Sequence, residues 1–259
     1  MAAVLKAFER EFFATHGWLI VREVVAPDDV DRTARALDAI IPEASYAQGY
    51  AGRVVEIASI SRGSTEIARS SMNPIIGRLA ADALGARRVQ LLQDSVLVKP
   101  PAGGPVAWHQ DGSYLGYLDR PAVVTVRLAL TACTAEAGCL RVIDGSHGWG
   151  LPGADLSFRR TRIEDTLAAI PDELRGRGAE SMLELAPGDV SLHHCLTFHA
   201  SAVNRSARPR KTLVIRLADA DCVLVPSRLP APELAAHFPV DASGHLSTAA
   251  FPVVYERPS

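Results

Sequence analysis

Residues 88–98, RVQLLQDSVLV, and residues 122–131, AVVTVRLALT, decide how this chain folds. Both are short apolar or alternating runs rich in Val and Leu and set off by Pro/Gly turns, the pattern of strands packed on at least one face. The texture returns at 139–143 (CLRVI), 181–185 (SMLEL), 189–194 (DVSLHH) and 211–218 (KTLVIRLA). At least six strands therefore follow Gly85, and they predict an all-β core.

Upstream of Gly85 the apolar period lengthens to that of a helix. Val4, Phe8 and Phe12 fall four apart, which predicts a helix over 4–15 with those side chains on its inner face. Pro27 suits a first turn, Asp28 and Asp29 complement the positive end of a helix dipole, and Val30, Ala34, Leu37 and Ile41 form a stripe that Pro42 ends. A third helix is predicted from an Asn73 cap and Pro74 through Ile75, Ile76, Leu79 and Ala83 to a Gly85 exit. Residues 43–63 show no sustained period and read as a loop. Residues 144–180 interrupt the strands with GSHGWG, the cluster Arg159, Arg160 and Arg162, and a predicted helix near Ile163–Ile170, which suits a lid or binding loop. The expectation is one mainly β domain with flanking helices over 1–259. It divides into a helical flank (1–86), a β core (87–226) carrying the 144–180 insertion, and a C-terminal segment (227–259).

Composition narrows the functions open to such a chain. Of 259 residues 48% are apolar and 22% charged, as in an ordinary globular protein, and the formal charge of −2 offers no field for a phosphate backbone. Nucleic acid is not an expected partner, and a small-molecule substrate is. No run of about 18 apolar residues is present to span a membrane. Lys6, Glu9, Arg10 and Glu11 break up the N-terminal stretch where a secretory signal would need an apolar centre, so a cytoplasmic location is expected. Cys133, Cys139, Cys195 and Cys222 form no C-x-x-C pair and read as reduced, buried thiols.

Chemistry concentrates in two segments. In PVAWHQDGSYLGY (105–117), His109 and Asp111 stand two apart, so an extended backbone would point an imidazole and a carboxylate to one side, toward one metal ion. After the turn Pro187-Gly188-Asp189, three histidines, His193, His194 and His199, fall on one predicted strand and its exit. One of them would complete two His and one carboxylate on one face of an octahedral metal, the usual site of non-heme Fe(II) oxygenases. His199 is chosen because Ser201, Asn204 and Arg210 follow it, and arginine fixes a carboxylate by two parallel hydrogen bonds. A metal ligand, a hydroxyl and an arginine in sequence suit a chelating keto acid.

Three segments, LVKPPAGGPVAWHQDGSY, GCLRVIDGSHGWG and LELAPGDVSLHHCLTFHASAVNRSARPRKTLVIRL, together resemble the phytanoyl-CoA dioxygenase family of Fe(II)- and 2-oxoglutarate-dependent oxygenases over residues 88–218. The resemblance implies a double-stranded β-helix, or cupin-like jelly-roll, preceded by helices. It implies that His109, Asp111 and His199 hold Fe(II), that Arg210 with Ser201 beside it binds the distal carboxylate of 2-oxoglutarate, and that dioxygen (O2) takes the last metal position. Gln93 and Lys99 lie on the strand where the family often contacts the co-substrate. Release of succinate and CO2 with hydroxylation of an unactivated C–H bond would follow, and the intact carboxylate at Asp111 favours this over halogenation. Arg127, in VTVRLAL, departs from a W-x-x-L pattern common in the family and is assigned to 2-oxoglutarate or an anionic substrate group. With Arg141, another candidate inward position, it favours a small anionic substrate. Trp108 and Tyr114 are candidate pocket walls, and the Gly145–His147 turn reads as structural. Competing readings are an oxygen-independent, metal-dependent isomerase or hydrolase and a non-catalytic binding jelly-roll. The Arg210 clamp disfavours the first, and the complete ligand set disfavours the second.

Overall fold

The computed structural model describes residues 4–41, 54–151, 174, 176–229 and 231–258. Among the described residues, four helices precede the long strands: α1 (Ala7–His16), α2 (Pro27–Ile40), α3 (Thr65–Ser71) and α4 (Pro74–Leu84). Local chemistry sets their ends. Asn73 Oδ1 accepts from the Ile75 amide at 2.9 Å, Pro74 opens α4, and Gly85 closes it at φ +65°, a conformation that glycine adopts without strain. In α2, Val30, Thr33 and Leu37 are buried, so the predicted stripe faces the core. The inner face predicted for α1 is corrected: Val4 precedes the helix and is 42% exposed, Phe8 is 63% exposed, and Phe13 is the buried side chain. Phe12 is half-buried and meets the Trp18 ring edge-on at 5.1 Å, so the helix turns its 12–13 side inward instead.

Eleven strands among the described residues form two antiparallel sheets. The larger orders β1 (Trp18–Val21), β8 (Val190–His194), β5 (Val123–Ala129), β10 (Arg210–Asp219), β3 (Arg88–Lys99) and β11 (Val253–Glu256), and β2 (Val55–Ala58) also pairs with β3. The smaller orders β4 (Val106–His109), β9 (His199–Ser201), β6 (Leu140–Ile143) and β7 (Glu180–Leu183). The helical region thus supplies two strands as well as helices. The loop expected over 43–63 is corrected where residues are described, because 55–58 lie along the edge of β3 and Ile60–Gly63 form a 3₁₀ turn. Residues 42–53, the cluster Arg159, Arg160 and Arg162 and the helix expected near 163–170 lie outside the described residues.

Strand alternation divides the large sheet into two chemistries. Val124, Val126 and Leu128 of β5, Val190 and Leu192 of β8, and Leu213, Ile215 and Leu217 of β10 pack with Leu37, Ile76 and Leu79 of the helices. Each fully buried Leu or Ile of this layer contributes roughly 1.5–3 kcal/mol by leaving water. The opposite face carries Arg210, Thr212, Arg216, Thr125, Arg127, Ser191 and His193, intercalated between those apolar positions. On β3 a bulge intervenes, since Arg216 pairs with Gln93 while Leu217 pairs with Leu91, skipping Leu92. The pairing runs unbroken from Arg216–Gln93 to Arg210–Lys99, which sets Gln93 and Lys99 on the polar face, and the extra residue lets Leu91 beyond it turn to the apolar core. The two sheets make a jelly-roll, helices cover the apolar outer face, and the polar face lines the interior.

Candidate active site

His109 ends β4 and His199 begins β9, and the two are direct register partners with ring centroids 4.1 Å apart. Each ring is oriented by its own backbone: His109 Nδ1 lies 2.8 Å from the Ala107 carbonyl and His199 Nδ1 2.9 Å from the Thr197 carbonyl. A nitrogen facing a carbonyl carries the proton, so both Nε2 lone pairs remain for a ligand. Asp111 is not on a strand, contrary to the expected extended H-x-D geometry. At φ −57°, ψ −32° it caps the short helix α5 (Gly112–Leu115), and this turn, rather than pleating, brings its carboxylate back to the imidazoles. Its Oδ1 stands 3.9 Å from His109 Nε2 and 3.6 Å from His199 Nε2. One ligand atom from each residue lies within 4.8 Å of the others, all three side chains being buried.

The second carboxylate oxygen is held by the large sheet. Thr125 Oγ1 donates to Asp111 Oδ2 at 2.5 Å, while His193 Nε2 and Arg216 Nε each stand 3.5 Å from the same oxygen. Tyr114 donates its hydroxyl to Oδ1. Burial opposes the charge on Asp111, but Arg216, His199 and His193 outweigh it and hold the carboxyl well below its usual range. Burial likewise lowers His109 and His199, the neighbouring imidazoles adding to the effect on His199. Neutral imidazoles and an ionised carboxylate are the protonation states that bind a metal.

These residues open on a cavity of about 950 Å³, walled on its apolar side by Val54, Leu97, Val106, Leu140 and Val214. Arg210 reaches it from β10 and is 1% exposed. Arg210 Nη1 donates to the Gly138 carbonyl, whereas its Nε and Nη2 have no hydrogen-bond partner among the described residues. Gly138 stands at φ +68° against the Ala202 carbonyl, where a Cβ would collide. Burial lowers the Arg210 guanidinium and no carboxylate offsets it. A buried cation without a counter-charge is costly, so its orphaned donors fit an incoming anion. Arg127, 7% exposed, donates to Thr212 Oγ1 at 3.2 Å, and burial with Arg210 nearby lowers it to about 10.

The cavity brings together seven of the predicted site residues: His109, Asp111, His199, Arg210, Ser201, Gln93 and Arg127. Lys99 lies behind them. Its amino group donates to Ser201 Oγ at 2.8 Å and to the Ala202 carbonyl, so it supports Ser201 without lining the cavity. Burial, with Arg210 and Arg127, lowers Lys99 to about 6. His193 and His194 end β8, and His199, past the exit of that strand, starts β9 in the other sheet. His194 turns to His147, whose ring bonds the Ala14 carbonyl in the structural role expected of that turn. Arg141 does not line this cavity: it pairs with Glu180 across β6 and β7 and lines a separate pocket with Cys139 and Met182. Trp108 packs in the core with Phe198 and Ala200, whereas Tyr114 does line the cavity. The four cysteines are free and buried. Arg216 and Thr125 were not singled out by sequence reasoning. Their signal was strand alternation, since Arg216 shares a face with Arg210 six residues before it, and Thr125 with Arg127.

A jelly-roll with two buried histidines and one buried carboxylate converging on one cavity defines a mononuclear metalloenzyme of the cupin-like class. The sequence profile of the phytanoyl-CoA dioxygenase (PhyH) family matches residues 13–212. Over 240 residues the chain is 23% identical to the peroxisomal phytanoyl-CoA dioxygenase of Bos taurus, covering 85% of this chain and 70% of that protein. Over 137 residues it is 29% identical to a probable alpha-ketoglutarate-dependent hypophosphite dioxygenase of Stutzerimonas stutzeri, covering 51% of this chain and 46% of that protein. Its fold matches that of the non-heme alpha ketoglutarate dependent carbocyclase SnoK from nogalamycin biosynthesis, with a TM-score of 0.76 over 96% of each chain at 22% identity. The chain belongs to the phytanoyl-CoA dioxygenase family, and so to the non-heme dioxygenases that work with Fe(II), 2-oxoglutarate and O2.

Proposed function

We propose that this protein hydroxylates an unactivated C–H bond of a small anionic metabolite, with 2-oxoglutarate consumed to succinate and CO2. The observation that carries the reading is Arg210: a buried guanidinium with two orphaned donors in the same cavity as a His-Asp-His cluster. An oxygen-independent isomerase or hydrolase has no need of a keto-acid clamp beside the metal ligands, and the complete His-Asp-His set disfavours a non-catalytic binding protein. The anionic character of the substrate is supported by Arg127 and Arg216 in the same cavity and by the hypophosphite dioxygenase among the relatives.

The donor set fits iron, since two neutral Nε2 atoms and one ionised carboxylate oxygen suit a facial site with open positions. His109, Asp111 and His199 would hold it. When bound, iron and 2-oxoglutarate supply the oxidising power of the reaction, drawn from O2. The chain's own residues do the positioning. Arg210 and the Ser201 hydroxyl take the distal carboxylate, Lys99 holds Ser201, and Arg127 adds positive charge at that end. Gln93 lines the cavity beside Arg216, and the apolar wall excludes water from the reacting carbon. Among the described residues no helix is long and apolar enough to cross a membrane.

Anaerobic titration with Fe(II) and 2-oxoglutarate tests the reading through the weak visible charge-transfer band of the chelate. The band is expected in the wild type and should need far more 2-oxoglutarate in Arg210→Ala. Iron binding without any band at saturating 2-oxoglutarate would refute the proposal.

A further inference from the structure

Lys99 is fully buried beside two guanidinium groups: Arg210 is its register partner on β10, and Arg127 acts on it from β5. Among the described residues no carboxylate bonds any of the three. Arg210 meets the Gly138 carbonyl, Arg127 the Thr212 hydroxyl, and Lys99 the oxygens of Ser201 and Ala202. The other charged or titratable groups on the surrounding elements are engaged elsewhere or neutral. Glu56 of β2 accepts from Ser95, Lys211 of β10 pairs with Asp38, and Asp111 lies with Thr125 and the metal-site imidazoles. Burial lowers His109 and His199 on β4 and β9, and pushes the Cys139 thiol up to about 11, so none of these carries charge at neutral pH. A buried cluster of cations without a counter-charge relaxes by releasing a proton, and only the lysine can release one, since a guanidinium keeps its charge.

The contacts of the amino nitrogen tie that proton to Ser201. Lys99 Nζ lies 2.8 Å from Ser201 Oγ, 3.4 Å from the Ser201 carbonyl oxygen and against the Ala202 carbonyl. An ammonium has three N–H groups and donates to all three oxygens. A neutral amine has two N–H groups and a lone pair, so the carbonyls keep their donors only if the Ser201 hydroxyl donates to Nζ instead. Ser201 lines the cavity and Lys99 does not. With Lys99 neutral, the Ser201 hydroxyl therefore points its proton away from the cavity and offers an incoming carboxylate only lone pairs. With Lys99 charged, that proton is free to face the carboxylate.

We infer that Lys99 and Ser201 form a proton switch for the co-substrate: Lys99 is neutral before 2-oxoglutarate binds, and takes one proton from solvent when the distal carboxylate arrives at Arg210. One N–H bond forms at Nζ, Nζ becomes the donor to Ser201 Oγ, and the hydroxyl proton turns to the carboxylate. No electrons move. The assignment rests on the dioxygenase reading above and adds to it a dependence of co-substrate affinity on pH. Binding raises the Lys99 value from about 6, so above that pH 2-oxoglutarate binds with proton uptake and its affinity falls as pH rises, by up to about tenfold per pH unit.

The test titrates the whole Fe(II)-loaded protein with 2-oxoglutarate under anaerobic conditions, by calorimetry at about pH 7.5 in HEPES and in Tris, whose different heats of ionisation count the protons taken up. The wild type should take up about one proton per 2-oxoglutarate. Lys99→Met should bind 2-oxoglutarate through Arg210 with no uptake, and with an affinity that stays constant between about pH 6.5 and 8.5. Lys99→Arg, whose charge cannot be lost, should likewise take up none and serves if Lys99→Met does not fold. Binding without proton uptake in the wild type, or uptake that persists in the Lys99 variants, would overturn the switch alone. A wild type that binds no 2-oxoglutarate would overturn the dioxygenase reading and the switch with it.

Discussion

Thr125 and Asp111 come from different parts of the jelly-roll, a strand of the large sheet and a turn after the small one, yet the threonine hydroxyl donates to Asp111 Oδ2 at 2.5 Å. The bond divides the carboxylate between two tasks. Oδ2 belongs to the sheet, and Oδ1, which also accepts from the Tyr114 hydroxyl, faces the Nε2 atoms of His109 and His199. A carboxylate fixed by one oxygen binds a metal through the other without first losing rotational freedom.

Thr125→Val keeps the shape of the side chain and removes the donor. The fold should persist, and Fe(II) affinity should fall about 10- to 100-fold, as for other losses of a ligand's hydrogen-bond partner. Equilibrium titration with Fe(II) under anaerobic conditions measures it, and an unchanged affinity would show that Thr125 does not orient the ligand.

Arg210→Gln should act in two opposite directions. 2-Oxoglutarate affinity should drop about 10- to 100-fold, because a charge-assisted pair is lost. The protein without 2-oxoglutarate should melt at a higher temperature than the wild type, because a buried cation with no counter-charge has been removed. Calorimetric binding and a thermal melt read the two effects, and a lower melting temperature would contradict the account of Arg210 as an orphaned charge.

Lys99 makes stability depend on pH. Burial, with Arg210 and Arg127, lowers it from 10.5 to about 6 in the folded protein. Between those values the unfolded chain binds the extra proton, so the wild type gains stability relative to Lys99→Met as pH rises through the window, by at most about 1.4 kcal/mol per pH unit. Urea unfolding of both proteins at pH 6.5 and about 8.5 tests this, and parallel pH dependence in the two would refute the lowered value.

Trp108 separates packing from chemistry next to a metal ligand. It is fully buried against Phe198 and Ala200 under the strands that carry His109 and His199. Trp108→Ala should destabilise the protein by about 3–5 kcal/mol through the cavity it leaves. A loss under 1 kcal/mol in chemical denaturation would mean that the Trp108 site collapses easily.

Much of this architecture is legible in short stretches of sequence. Asn73-Pro74 and Gly85 bracket a helix because a cap, a fixed φ and a left-handed glycine act within a turn of the chain. Apolar runs mark β3, β5, β8 and β10 because half or more of each strand is buried whatever its neighbours are. Short strands are read unevenly: β6 and β7 fall in the runs 139–143 and 181–185, whereas β4, β9 and β11 fall outside every such run, and α1 misleads because its apolar residues exceed the face it buries.

The site divides along the same line. His109, Asp111, His199 and Arg210 are identifiable from residue type and spacing, because a metal and a keto acid demand particular donors. Which oxygen of Asp111 faces the imidazoles, that Lys99 lies behind Ser201, and that Arg216 stands beside the metal ligands are settled only in three dimensions. Each depends on contacts between segments distant in sequence, and on β3 the single extra residue at Leu92 decides that Gln93 faces the cavity while Leu91 faces the core. A bulge of one residue exchanges the two faces of a strand, and no local preference of the chain records which partner a face will meet.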